Sequence, residues 1–405
     1  MAGSGDGDDV ARLERWFGAG LIRPDPTRPS TVDLSRVLAS IGGVADAPAP
    51  GPGGAAIRAA IGPSEHLVFV LIDGLGYELV ESLPPESFLR RHLALELRSV
   101  FPSATASAIT SLATGEWPAR HGVPGWWTHL PERDLTLTAL PFVERWSGRP
   151  ASELGIGADV WPCATLLGRY TRDARTFQPL PIVDSAYSRY FRGTSAWSGY
   201  QDLTQAVDLV LLRLSGAAAA SYTYLYFSSL DELQHAHGPG SKEARALLLQ
   251  LDGELERLAL GLPRGARIAL SADHGLVEVG AEEKDVLGPR DELVELLLVP
   301  PAGEPRFPQF HVKPGQTARF RELFARRFGE GWALLTPDEV ERLELLGPGP
   351  LGPETRARLG DFVAISHARR VILYRPGERP TGTELLRGYH GGLLPAEVRI
   401  PLVVV

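Results

Sequence analysis

The sequence is short of sulfur, of lysine and of long apolar runs, and each shortage removes a class of protein. One cysteine, Cys163, in 405 residues leaves no internal disulfide framework and no CxxC zinc site, and gives no sign of an oxidising compartment. Lys242, Lys284 and Lys313 are the lysines, the other basic residues being arginines. With a formal net charge of -8 and no long basic block, the chain has no surface suited to coating nucleic acid. A small anion could still be held by a local site. No apolar run approaches the roughly 18 to 20 residues that cross a bilayer. Residues 1–9 are Gly/Asp-rich and acidic, where a signal peptide would be basic and then apolar. These absences point to a soluble, cytoplasmic protein without a membrane partner. Oligomeric state leaves no mark in the sequence.

What is present is a series of buried strands ending in chemistry. Residues 67–72 are an unbroken, β-branched-rich apolar run stopped at Asp73-Gly74, which reads as a central parallel strand covered on both faces. Residues 222–227 read as a second buried strand, ending in Ser228-Ser229-Leu230-Asp231. A third, 266–270, ends in Ser271-Ala272-Asp273-His274-Gly275, and 400–405 is a last apolar strand. Residues 199–214 and 241–260 have helical apolar spacing. From about 280 to 384 the texture changes: strand-like pieces at 293–299, 307–312, 362–365 and 371–374 interrupt helices at 317–328 and 337–345.

The fold class this predicts is α/β, a doubly wound and mostly parallel sheet with a smaller α+β insertion. Residues 1–60 are an N-terminal extension and linker, with 1–9 unstructured, short helices at 10–18 and 34–41, and a Pro/Gly/Ala-rich connection at 45–55. The core takes 61–279 and 385–405, with 280–384 as insertion or cap. Residues 122–142 read as loop, and 158–162 and 176–181 as short strands or connections.

Phe101-Pro102-Ser103-Ala104-Thr105-Ala106-Ser107 leads into a small-residue helix at 108–113 that stops at Thr114-Gly115. Thr105 therefore falls at or near a helix N-terminus, which suits an anion or a hydroxyl that must lose its proton. The plainer role for Thr105 or Ser103 is a helix cap. Asp73, Asp231, and Asp273 with His274 all lie beyond the carboxyl ends of strands, where ligand sites form in open α/β sheets. His235 is one helical turn after Asp231, so both side chains can reach one ion. With His390 the set is oxygen and imidazole without thiolate, which suits zinc or manganese better than magnesium or calcium. Two ions roughly 3.5 to 4 Å apart divide the work of phosphoryl transfer between the attacking and leaving oxygens. Metal coordination would also activate a threonine hydroxyl that is otherwise a poor nucleophile.

In order, Leu71-Ile72-Asp73-Gly74, Pro102-Ser103-Ala104-Thr105, Asp231-x3-His235-x2-Gly238-Pro239, Asp273-His274-Gly275 and His390-Gly391-Gly392 resemble the alkaline phosphatase superfamily, in its nucleotide pyrophosphatase/phosphodiesterase branch. The resemblance runs from about residue 66 to the C-terminus. It implies a dinuclear zinc site, one ion held by Asp231, His235 and His390 and the other by Asp73, Thr105, Asp273 and His274. It also implies in-line attack by Thr105, a phospho-threonine intermediate and its hydrolysis. The expected substrate is a small organophosphorus compound, a phosphodiester or nucleotide pyrophosphate.

The chain departs from that branch in two places: Ala108 replaces an asparagine typical three residues after the threonine, and Gln234 replaces the glycine usual before the metal histidine. Phosphomonoester or phosphonate hydrolysis on the same site is the alternative chemistry, and a catalytically silent metal- or ligand-binding protein the alternative class. Ser103 and Ser107 are competing hydroxyls, and Cys163 reads as a small core residue. His121 and His129 read as surface-loop residues with pocket lining as the alternative. Tyr187, Tyr190, Phe191, Trp197 and Tyr200 read as packing, or as a wall that stacks a nucleobase or aryl group.

Overall fold

The computed structural model describes residues 6–405, with side chains from Asp9 onward. Its centre is a seven-stranded sheet in the order Leu93–Arg98, Arg399–Val404, Ala266–Ser271, His66–Ile72, Ser221–Phe227, Asp173–Pro179 and Ala196–Tyr200. The last five strands of that order run parallel, and Arg399–Val404 is antiparallel to its neighbour on each side. Both His66–Ile72 and Ser221–Phe227 are buried at every position, as strands covered on both faces must be. Helices Thr31–Ile41 and Thr105–Thr114 pack as one pair, and Leu203–Ser215 and Lys242–Gly261 as another. The α/β fold expected from the sequence is the one the chain adopts.

A second seven-stranded sheet is antiparallel throughout: Trp332–Leu335, Phe362–Ser366, Phe307–Phe310, Ala302–Glu304, Trp127–Leu130, Leu135–Thr138 and Val143–Glu144. Residues 122–142 are therefore not a loop. They supply a hairpin to the sheet whose other half comes from 302–366. Residues 293–299 are not a strand but a single 3-10 turn, Val294–Leu296. Their buried leucines, Leu293, Leu296 and Leu297, follow helical rather than alternating spacing and pack with Phe310, Phe320 and Phe324. The reading of 158–162 as strand fails likewise, because Ala158–Val160 is a 3-10 turn. Residues 176–181 overlap the parallel strand Asp173–Pro179, and 199–214 divides into the end of strand Ala196–Tyr200 and helix Leu203–Ser215. Of the N-terminal stretch read as unstructured, residues 1–5 lie outside the described residues. From Asp6 the chain is already helical, to Phe17.

Among the described residues no helix is long and apolar enough to cross a membrane.

Candidate active site

The carboxyl edge of the parallel strands gathers the expected residues. Asp73 follows His66–Ile72 directly, and its turn depends on Gly74 at φ +73°, a conformation that favours glycine. A Cβ on Gly74 would also lie 3.0 Å from Gln234 Nε2 and 3.1 Å from Asp231 Cα. The Gly74 N–H donates to Asp273 Oδ1 at 3.1 Å, which locks two strand ends together. Gly275 is needed for a different reason: a Cβ there would meet the Ala396 carbonyl oxygen at 2.1 Å. Gln234, unusual for the motif, is fully buried, and its Nε2 donates to the Gly74 carbonyl at 2.9 Å. It clamps helix Ser229–His237 to the Asp73 turn.

That helix carries Asp231 and His235 on one face, with His235 Nε2 3.3 Å from Asp231 Oδ2. His235 Nδ1 lies 2.8 Å from the Gly388 carbonyl and His274 Nδ1 3.2 Å from that of Gly275. A carbonyl can only accept, so both Nδ1 atoms carry a proton, which leaves Nε2 as the atom that each ring can offer to an ion. The His274 ring stacks on His390 with centroids 3.8 Å apart. Ligand atoms of Asp73, Asp273 and His274 lie within 4.8 Å of one another, as do those of Asp231, His274 and His390. His274 thus stands between two groups, and His235 joins through Asp231.

Thr105 opens helix Thr105–Thr114, but it is not the cap. Ala104 occupies that position and offers no side-chain acceptor, so no cap side chain takes the first-turn N–H groups. Thr105 Oγ1 instead lies 3.0 Å from His274 Nε2. The competing hydroxyls are engaged: Ser103 donates to the Gly392 carbonyl at 2.7 Å and Ser107 to that of Val123 at 2.8 Å, both fully buried.

Four buried atoms of this set have no hydrogen-bond partner among the described residues: Asp73 Oδ1, Asp231 Oδ1, Asp273 Oδ2 and His390 Nδ1. Unpartnered acceptors at such depth are costly unless a cation meets them. The titration tendencies agree. Burial, then Asp273 and Asp231, push the Asp73 carboxyl well above its ordinary range. Burial and the neighbouring His274 and His235 push His390 down, so its imidazole is neutral and able to ligate. The donor set therefore fits divalent metal, with no thiolate to favour a softer ion.

Above the cluster lies a cavity of about 760 Å³, walled on one side by the second sheet through Trp126, Trp127 and Glu304. Its lining, among the described residues, includes no lysine or arginine. Glu304 was not singled out in the sequence. It is buried, accepts from the Trp126 N–H at 2.6 Å, and burial pushes its carboxyl up to about 8. Tyr226, whose hydroxyl donates to Asp73 Oδ2 at 2.5 Å, was equally invisible.

The aromatic cluster divides: Tyr187 and Phe191 line the cavity, Tyr190 stacks on Trp161, Tyr200 donates to the Tyr226 carbonyl, and Trp197 is 44% exposed. His121 and His129 are not surface residues. His121 is buried against Ser111, and His129 packs edge-on to His311 in the second sheet, their centroids 4.5 Å apart. Burial, reinforced by His129, lowers His311 from the ordinary 6.5 to about 4. The unfolded chain takes up that proton near pH 6.5 while the folded chain refuses it, so stability is fully present above 6.5 and falls as pH drops towards 4. His311→Gln should shrink the fall in Tm across that window, and an unchanged Tm–pH slope would remove His311 from its causes.

A parallel sheet with carboxylates and imidazoles at its carboxyl edge, facing a hydroxyl on a helix N-terminus, defines an enzyme of the alkaline phosphatase superfamily. Within it the chain belongs to the type I phosphodiesterase / nucleotide pyrophosphatase family, whose model matches residues 67–393. Murine ectonucleotide pyrophosphatase / phosphodiesterase 5 shares the fold at TM-score 0.61 and 16% identity, with 83% of this chain and 87% of that one covered. An inactive threonine-to-alanine form of the murine protein is known in complex with AMP. Phosphonoacetate hydrolase from Sinorhizobium meliloti 1021, in complex with phosphonoacetate, matches at TM-score 0.60 and 18% identity, over 84% of this chain and 90% of that one.

Proposed function

We propose that the protein is a metal-dependent hydrolase of phosphodiester or nucleotide pyrophosphate bonds that works through a phospho-threonine at Thr105. One observation carries this reading: Thr105 Oγ1 lies 3.0 Å from His274 Nε2, amid carboxylate and imidazole atoms that have no hydrogen-bond partner among the described residues. Asp73, Asp273 and His274, with Thr105, would hold one ion, and Asp231, His235 and His390 the other. Zinc is favoured by the donors, with manganese the alternative. Bound there, the ions supply Lewis-acid polarisation of the phosphoryl group and offset charge on the attacking and leaving oxygens.

Thr105 Oγ1, its proton given up to water, forms the O–P bond as the bond from phosphorus to the leaving alkoxide, aryloxide or, for a pyrophosphate, phosphate breaks. The free N–H groups of the first helical turn meet charge growing on the non-bridging oxygens. Water then cleaves the phospho-threonine and restores the hydroxyl. Phosphodiester and pyrophosphate chemistry is preferred to monoester or phosphonate chemistry because the attacked phosphoryl group then carries one negative charge rather than two, and the cavity offers no lysine or arginine among the described residues to meet a second.

Hydrolysis of bis-p-nitrophenyl phosphate against p-nitrophenyl phosphate and phosphonoacetate, before and after chelation, tests the proposal. The expected result is diester preference, lost on chelation and regained with zinc or manganese. Preference for the monoester or the phosphonate would keep the site and change the class. Bound metal without turnover of any of the three would leave a ligand-binding protein.

A further inference from the structure

The floor of the cavity is laid by strands Asp173–Pro179 and Ser221–Phe227. Their parallel register pairs Thr176 with Tyr224 and Phe177 with Leu225, so Thr176, Gln178, Tyr224 and Tyr226 share one sheet face. Tyr226 is committed to Asp73. Gln178 is committed to nothing: it lines the cavity, is 6% exposed, and its Oε1 is buried without a hydrogen-bond partner among the described residues. Thr176 Oγ1, fully buried on the same face, is also without a partner. An amide oxygen left unpaired at that depth is a standing cost, and such groups call for an explanation in what binds them. The cavity that Gln178 lines is also lined by the apolar and aromatic side chains of Ile109, Ile182, Tyr187 and Phe191, and by no lysine or arginine among the described residues.

We propose that Gln178 is a specificity-determining residue that reads the organic substituent of the phosphodiester, selecting an uncharged planar ring that presents an N–H beside a C=O. The primary amide sets an acceptor and a donor side by side, so a ring imide or an aryl carboxamide matches it with two hydrogen bonds. The aromatic wall supplies the slot for the ring. A substituent that ends in phosphate or carboxylate would bury its charge without a counter-ion, and is rejected. Selection by a buried hydrogen-bonding group is sharp because the wrong ligand leaves that group unpaired. This inference rests on the proposed phosphodiesterase reading for its substrate, and on the cavity alone for its ring subsite.

The test uses the metal-loaded protein and p-nitrophenol release from three esters: the p-nitrophenyl ester of thymidine 5′-monophosphate, its N3-methyl derivative, and a p-nitrophenyl aryl phosphate carrying a para-carboxamide. The wild type should favour the N–H ester over the N-methyl ester by about tenfold in kcat/KM, through KM, the effect of one such hydrogen bond. In Gln178→Leu that ratio should fall to near one. A purely structural glutamine would lower Tm when removed, whereas loss of this unpaired amide should leave Tm equal or higher. Activity on the carboxamide ester that is also lost in Gln178→Leu would show that the subsite reads the amide group rather than the nucleoside.

Calorimetric binding of thymidine and 3-methylthymidine gives a readout without turnover. If no ester is cleaved, the hydrolase reading fails, yet thymidine binding that is lost on N-methylation and in Gln178→Leu would still support the subsite. An N–H preference that survives in Gln178→Leu, or equal binding of the two nucleosides to the wild type, overturns it.

Discussion

Thr105→Ala is expected to abolish turnover of bis-p-nitrophenyl phosphate, on the order of 10⁴-fold in kcat, since removal of a covalent nucleophile leaves only the catalysis of the remaining site. Tm should hardly move. The side chain caps no helix, and its one hydrogen-bonding contact is with His274. Thr105→Ser should retain measurable activity, because the hydroxyl is kept and only a methyl group is lost. A p-nitrophenyl phosphoryl group trapped on the wild type by acid quench, and absent from Thr105→Ala, would identify the intermediate. A Thr105→Ala enzyme within about tenfold of wild type would eliminate the covalent route, since a tenfold loss is only one factor of 1.4 kcal/mol in barrier. Water would then be the direct attacker. Metal content of the variant belongs in the same experiment: an enzyme that keeps its ions and loses turnover has lost a nucleophile, whereas one that loses both has lost a ligand.

The residues of this site were legible for a physical reason. Strands buried on both faces are dominated by apolar residues, so the polar residues just beyond each run mark the carboxyl edge where ligands bind, and Asp73, Asp231 and Asp273 all lie within about one turn of such exits. His235 followed because four residues make one helical turn. Strand Leu93–Arg98 was missed because it alternates leucine with exposed or charged residues at the sheet edge, where no continuous run is required. Strand Ala196–Tyr200 lies at the opposite edge and is half exposed. The hairpin from Trp127 to Thr138 has short strands rich in threonine, and its partners begin only at Ala302, far along the chain.

Gln178, Tyr226 and Glu304 carry no local signal at all. Tyr226 and Glu304 owe their places to partners brought close by the sheets rather than by spacing, Asp73 and the Trp126 amide, and Gln178 owes its place to the register of its strand against Ser221–Phe227. Gln234 looked like a defect in the motif because a clamp onto the Gly74 carbonyl cannot be read from neighbours in sequence. The sharing of His274 between the two ligand groups likewise depends on its stacking against His390, more than a hundred residues away.

Arg306→Ala should be the most destabilising single change outside the apolar core, costing about 3–5 kcal/mol because it strands a buried carboxylate. Arg306 and Glu397 are both fully buried and meet through two parallel bonds of 2.5 and 2.9 Å. Arg306 comes from the connection between strands of the second sheet, while Glu397 lies just before strand Arg399–Val404 of the first sheet, so the pair joins the two sheets. Arg306 also donates to the carbonyls of Ala368 and Arg370, each at 3.0 Å. Glu397 Oε1 in turn accepts the Gly392 N–H at 2.8 Å, two residues beyond His390.

Thermal unfolding of Arg306→Ala should therefore show a Tm drop of about 5 °C, with lowered metal affinity through the His390 loop. The double variant Arg306→Met, Glu397→Met separates these effects. Replacing a buried ion pair by apolar side chains restores much of the stability, but it cannot restore an acceptor for the Gly392 N–H. Stability regained without metal affinity would show that Glu397 positions His390. Both regained together would make the pair a bridge between sheets and nothing more, and a Tm unchanged in Arg306→Ala would mean that Glu397 finds its counter-charge elsewhere.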